Sequence, residues 1–358
     1  MKNKKNISIA TIIVFVAFLA YIILCYKPLS TELQLTPQWT TEIKQENVNP
    51  KSSLKVLPFR LGQNTGYFTH EGKIALLHNF EYKASICSDF FCSYMQDSRE
   101  VQIMNPEGEP IGTIKGGGFP YLTEGKIFLM LPGGAGFELR DLNDNTLARY
   151  ENTSPITAFN SSPMGTVAGF ADGSLYVFNE KFDLIDRLEP GGSDYPTILG
   201  ANISSNGNYF ACVTGQNKQR FILYKAENYH NKPIFHHYLN NSIVNQTLVA
   251  FTKDESKVYY NDATGLGIVD TSTCKYSHID IPGRILDIRE SPVAKSVFVL
   301  SKEKDTVNSK YTVSVIEQQK YKTGSFSFNA NSAFILTDEN ALFIGKDDKI
   351  SKLIISKE

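Results

Sequence analysis

The stretch "GYFTHEGKIALLH" at 66 to 78 returns at 119 to 131 as "FPYLTEGKIFLML". An aromatic residue, a threonine, Glu-Gly-Lys-Ile and an apolar run recur at matching offsets. A chain that rewrites one phrase builds one supersecondary unit many times, and each unit must bury its apolar face against its neighbours. In looser form the phrase is an apolar strand, a polar turn and a second apolar strand. Seven copies can be read: "YFTHEGKIALL", "YLTEGKIFLML", "AFNSSPMGTVAGF", "ANISSNGNYFACV", "AFTKDESKVYYN", "DIRESPVAKSVFVL" and "FILTDENALFIG". The residue opening the second strand falls at Lys73, Lys126, Thr166, Asn208, Lys257, Lys295 and Ala341.

Behind each phrase comes a third strand and usually a fourth, such as "EVQIMN" with "PIGTIKG" and "GFELRDL" with "TLARYEN". Past the N-terminus no amphipathic stretch of helical length competes with this pattern. Four strands in roughly forty to fifty residues describe a β-propeller blade. The fold class expected is therefore all-β, a seven-bladed β-propeller of four-stranded blades over 38–358. The seventh copy stops after its third strand, "ISKLIIS", so an N-terminal strand has to complete the last blade. "PQWTTEI" (37–43) suits this better than "LKVLPF" (54–59) because it alternates, and Trp39, the only tryptophan, would pack between blades.

The N-terminus has its own pattern. "MKNKKN" (1–6) carries three lysines and precedes twenty residues without a charge, 7–26. As a helix that run would span about 30 Å, the thickness of a bilayer's hydrocarbon core. The lysine asymmetry would leave 1–6 as a cytoplasmic tail and place everything after a linker (27–37) on the extracytoplasmic side. The expected arrangement is thus a single-pass anchor in the inner or cytoplasmic membrane. Lys plus Arg is 36 against 37 Asp plus Glu, so no basic surplus is offered to a phosphate backbone and nucleic acid is not an expected partner.

The units "SSNGNYFACV" and "TKDESKVYY" resemble hairpins of bacterial WD-repeat-like propellers. "TPQWTTEI" resembles the entry to quinoprotein-like propellers such as the lipoprotein of the outer-membrane β-barrel assembly machine. The resemblance implies the fold over about 38–358 rather than an activity. The chain has no Gly-His or Trp-Asp dipeptides and lacks the recurrent blade tryptophans of quinoprotein enzymes, so no cofactor is expected.

In a propeller the loops between second and third strands, and those from blade to blade, share one rim, called the top. The stretch 80–99 reads as a long insertion of blade one on that rim. It holds Phe80, Tyr82, Phe90, Phe91 and Tyr94 around "CSDFFC", where Cys87 and Cys92 are close enough in sequence to favour a disulfide. Rigid rings on a cross-linked loop suit a protein-binding surface, although the same rings could fold back as a small core over the blade. The candidate partner-binding residues are Phe90, Phe91, Tyr94, Phe119, Tyr121 and Tyr195. Glycine-rich loops on the same rim, with Gly117, Gly118, Gly133, Gly134, Gly191 and Gly192, offer backbone amides to a ligand or simply make tight turns.

Catalytic patterns are sparse. His70, His78, His230, His236, His237 and His278 are scattered, and neither a Gly-x-Ser-x-Gly elbow nor a His-Glu-x-x-His helix occurs. Carboxylates at Glu71, Glu124, Asp254, Glu290 and Asp338 recur at first hairpins, which points to turn chemistry. No catalytic residue or metal ligand is assigned. The expectation is a scaffold that offers its top rim to a protein partner in a cell-envelope complex. The rival is a ligand sensor or metal-dependent enzyme using the channel mouth.

Overall fold

A computed structural model describes residues 9–25, 32–44, 55–226, 231–239, 243–291, 293–304 and 307–357. Thirty-one strands form eight antiparallel sheets among these residues. Seven sheets have four strands and one has three. The innermost strands of successive sheets pack on one another around the ring, and the apolar clusters lie between neighbouring sheets rather than in one central core. Two-sided burial is why the strands read as continuous apolar runs: "GTVAGF" (Gly165–Phe170) is buried at all six positions.

The propeller has eight blades, which corrects the expected seven. The supposed insertion 80–99 contains two strands, β5 (Lys83–Ile86) and β6 (Phe91–Tyr94), which are the inner hairpin of a blade of their own. Ahead of it, β2 (Val56–Leu61), β3 (Asn64–Thr69) and β4 (Ile74–Asn79) form the three-stranded blade, which is blade 1 of eight numbered in chain order, so that β5 opens blade 2 and the C-terminal strands from Ala333 make blade 8 with the strand Leu33–Glu42. Lys55, just before β2, pairs at 2.7 Å with Asp338, the last residue of blade 8's innermost strand (Ala333–Asp338). A side chain placed at Gly62, just after β2, would meet Ser332, which precedes that strand, at 3.5 Å. β2 thus runs against the innermost strand beside it, and β2, β3 and β4 take the directions of second, third and fourth strands. The phrase at 66–78 is therefore a third-to-fourth hairpin, whereas its echo at 119–131 is a first-to-second one. Counting them as equivalent merged two blades into one.

The ring is closed by β1 (Leu33–Glu42), which pairs with the C-terminal strand Lys349–Lys357 from Leu33↔Lys357 to Glu42↔Lys349. β1 begins inside the stretch 27–37 read as linker, and 56–61 belongs to the next blade. Pro37 lacks an N–H, and it sits where the register shifts, on an outermost strand where a missing donor is tolerated. Trp39 locks the seam. Its ring lies 6.0 Å from Phe343, its Nε1 donates to the His70 carbonyl at 3.2 Å, and Gly72 leaves it room. A Cβ at Gly72 would approach the indole to 2.9 Å. His70 in turn contacts Asp338 at 2.8 Å, so blade 8 and blade 1 are tied by one polar cluster.

One helix precedes the propeller, α1 (Ile9–Cys25). Its 17 residues span about 26 Å, short of the roughly 30 Å of a hydrocarbon core. No helix among the described residues is long and apolar enough to cross a membrane, which corrects the expected membrane-spanning anchor at 7–26. The tail 1–6 lies outside the described residues.

The Cys87–Cys92 disulfide is also corrected: Cys87, Cys92, Cys212 and Cys274 are all free. In the β5–β6 ladder Ser85 faces Cys92, and the Cys87 amide donates to the Phe90 carbonyl at 3.0 Å. The two cysteines occupy diagonal positions on one face. Such positions are typically about 7–8 Å apart, beyond the roughly 4 Å between Cβ atoms that a disulfide needs.

Candidate protein-interaction surface

On the top rim between blades 2 and 3 the chain forms a recess of about 240 Å³. The start of β5 supplies Tyr82 and Lys83, the end of β6 supplies Tyr94, and the first strand of blade 3 (Phe119–Thr123) supplies Phe119. Pro132, Gly133 and Gly134 line it from the second-to-third-strand loop of blade 3, and Gly118 lines it too. Tyr82 and Phe119 are each 42% exposed. The Lys83 ammonium sits 5.4 Å from the Tyr82 ring centre and 5.9 Å from that of Phe119. Among the described residues Lys83 has no carboxylate partner, so its charge rests on the ring faces, a cation–π arrangement. Burial pushes the Tyr94 hydroxyl up to about 12, so it stays protonated and can donate at neutral pH.

Gly118 has a physical reason to be glycine. Its φ is +118°, and a Cβ there would stand 2.0 Å from the Met130 carbonyl oxygen. The first strand of blade 3 can approach its neighbour only without a side chain at that point. Gly133 and Gly134 also have positive φ, but a Cβ at either would meet nothing within 4 Å, so their role is the turn. Gly117 faces Pro132 at 3.0 Å by the same measure.

The structure therefore brings together Tyr82, Tyr94, Phe119, Gly118, Gly133 and Gly134 from the residues named in the sequence, and adds Lys83 and Pro132. It places the others elsewhere. Phe90 and Phe91 lie at the β5–β6 hairpin, toward the opposite rim, and both are core. Phe91 is 1% exposed and packs 6.1 Å from Tyr67 and 5.4 Å from His78, whereas Phe90 faces the cluster with Cys92 and Ile103. Tyr121 is half-buried against Phe159 at 5.6 Å. Tyr195 is 62% exposed on the connection from blade 4 to blade 5. Gly191 and Gly192 lie on that same connection, with Gly192 against the Arg220 guanidinium, so this is a separate part of the rim. The signal that could have found Lys83 is its place beside Tyr82 at the head of a strand.

The histidines divide as strand geometry requires. His236 is exposed, while His237, on the other face, stacks on Tyr276 at 4.2 Å and its Nδ1 lies 3.2 Å from the Tyr260 hydroxyl. His278 lies 3.4 Å from the fully buried Asp262, which also accepts from the Tyr276 hydroxyl at 3.2 Å, and 3.2 Å from the exposed Asp280. The imidazole thus sits beside two carboxylates of blade 6, one of them on its own strand. No group of three or more His, Cys, Asp or Glu among the described residues is placed to hold a metal ion.

Eight radial sheets and a strand-closed ring define the class, a β-propeller. The chain belongs to a family of beta-propeller proteins, whose model matches residues 1–357. It is 26% identical over 366 residues to an uncharacterized protein of Treponema pallidum (strain Nichols), covering 99% of this chain and 96% of the relative. Among solved structures, BamB from Moraxella catarrhalis superposes with a TM-score of 0.56 at 10% identity, covering 90% of this chain and all of that one. The computationally designed Ika8 protein superposes with a TM-score of 0.61 at 10% identity over 85% of this chain and 96% of its own. At such identity these two likenesses speak for the fold alone.

Proposed function

We propose that the propeller is a protein-binding scaffold whose top rim, at the Tyr82–Lys83–Phe119 recess, receives a partner in a cell-envelope complex. The observation that carries the reading is a pair of half-exposed rings under an unpaired ammonium on a rigid rim. Aromatic anchors beside a desolvating wall are what interface hot spots are made of. The likeness to the BamB structure supports a scaffold built on the same fold and no more. An extracytoplasmic location is part of the proposal, and an alkaline phosphatase fusion that stays inactive would remove it. The test of the scaffold itself is co-purification of the full chain against the Tyr82→Ala/Phe119→Ala variant. Loss of a stoichiometric partner with an unchanged urea midpoint supports it, and retention of every partner refutes it.

A further inference from the structure

A second concavity, about 470 Å³, opens on the top rim at blade 6, away from the recess described above. It lies under the connection from blade 5 to blade 6. That connection reaches inward, because the Gln246 side chain donates to the carbonyl of Thr157, on the innermost strand of blade 4, at 2.6 Å. The cavity is therefore near the mouth of the central channel, and its volume falls in the usual range of small-ligand sites, about 300–1,000 Å³.

Two polar groups point to what it takes. Asn261 is only 7% exposed and lines this cavity. Its backbone amide is bonded to the Leu248 carbonyl, but its carboxamide has no hydrogen-bond partner among the described residues. Its amide atoms are open to the cavity rather than sealed from it, so whatever occupies the cavity completes their hydrogen bonds. Arg284, an exposed residue that also lines the cavity, has neither an ion pair nor a hydrogen bond from its guanidinium among the described residues. Thr264 also lines the cavity, with its hydroxyl 3.2 Å from His278 Nε2. Ile243, Ile281 and Pro282 supply apolar wall.

We infer that this cavity is a binding site for a small organic carboxylate carrying an amide and an apolar body. Arg284 takes the carboxylate as a planar, two-pronged donor. Asn261 completes its hydrogen bonds with the ligand's amide, and the apolar body covers Ile243, Ile281 and Pro282. A single guanidinium matches the single charge of a carboxylate better than a phosphate dianion. The neighbouring cation, Lys302, is directed to the Tyr311 ring at 5.6 Å. This site is independent of the scaffold reading and would stand if that reading fell.

The experiment uses the full chain with hippurate, which carries all three groups, and phenylacetate, followed by ligand-observed NMR titration. Hippuramide and phenylacetamide are their neutral counterparts. Wild type is expected to bind hippurate saturably in the millimolar range or tighter, and hippuramide at least about tenfold more weakly, since a charge-assisted bond is lost. Arg284→Gln should lose about the same factor. Asn261→Leu should weaken hippurate about fivefold or more yet leave the urea midpoint equal or higher, because the carboxamide has no hydrogen bond within the chain to lose. A purely structural Asn261 would give the reverse. No saturation of wild type by either carboxylate below about 20 mM, or binding by both variants equal to wild type, overturns the site.

Discussion

The eight-blade architecture makes Phe91 a core residue, and its removal separates the two ways of reading 80–99. Were this stretch a surface insertion, Phe91→Ala would change stability by no more than about 0.5 kcal/mol. In the structure Phe91 is 1% exposed and sits between blades 1 and 2 with Tyr67, Ala75 and Ile86 around it. Truncating a fully buried phenylalanine costs about 3–5 kcal/mol. Part of that, about 0.5–1.5 kcal/mol, comes from edge-to-face contact of the kind Phe91 makes with Tyr67. We expect about 3–4 kcal/mol, because His78 beside it is half-buried and can relax into the space. With a urea slope of about 3 kcal/mol per molar for a chain of this size, the midpoint should fall by roughly 1 M. Phe119→Ala, at a residue 42% exposed, should shift it by no more than about a third as much. A Phe91→Ala midpoint within error of wild type would refute the assignment of β5 and β6 to a blade.

Other consequences can be checked alongside. Gly118→Ala should cost about 2–3 kcal/mol and Gly133→Ala only about 1, since one adds a backbone clash to positive φ and the other only the φ term; paired urea curves read both. His278→Ala should destabilise by about 1–2 kcal/mol by taking the imidazole away from buried Asp262, which accepts its hydrogen bond from Tyr276, and Asp262→Asn in the same background should recover part of it. Burial raises the Cys92 and Cys212 thiols from about 9 to about 12. The unfolded chain releases those protons first, so stability should be full below pH 9 and decline as pH rises from 9 toward 12. Iodoacetamide at pH 8 should modify half-exposed Cys274 in the folded protein and reach Cys92 and Cys212 only after unfolding, as peptide mass spectrometry would show.

Much of the fold was legible because strand and turn chemistry repeats. The blade count was not, because the opening phrase combines two different hairpins. A better marker was present. Asn105, Asp141 and Asn179 each accept, through one side-chain oxygen, the amides two and four residues on, and Asp270 does so for the amides two and three on. These Asx turns mark third-to-fourth hairpins, so reading "NPEGE", "DLNDN" and "NEKFD" as equivalents would have put a blade boundary after Lys115 and left 83–115 whole. β5 and β6 escaped notice because each has four residues and their aromatics look like surface anchors. Burial on both faces, which made Phe91 core, depends on blades that are distant in sequence. The recess was half legible, since Gly118, Phe119, Gly133 and Gly134 belong to glycine-rich loops. Lys83 joined it only once β5 became an innermost strand. The cavity at Asn261 and Arg284 left no sequence signal, because its walls come from separate strands and connections that only the ring brings together.

The central claim is that the top rim between blades 2 and 3 is a docking surface. A photo-crosslinking amino acid at Tyr82 or Phe119, with Met164 as an exposed control on the opposite rim, tests it in the intact cell. The account predicts one shared protein adduct from both top-rim positions and none from Met164. Adducts from Met164 alone, or no adduct from any position in folded protein, would contradict it.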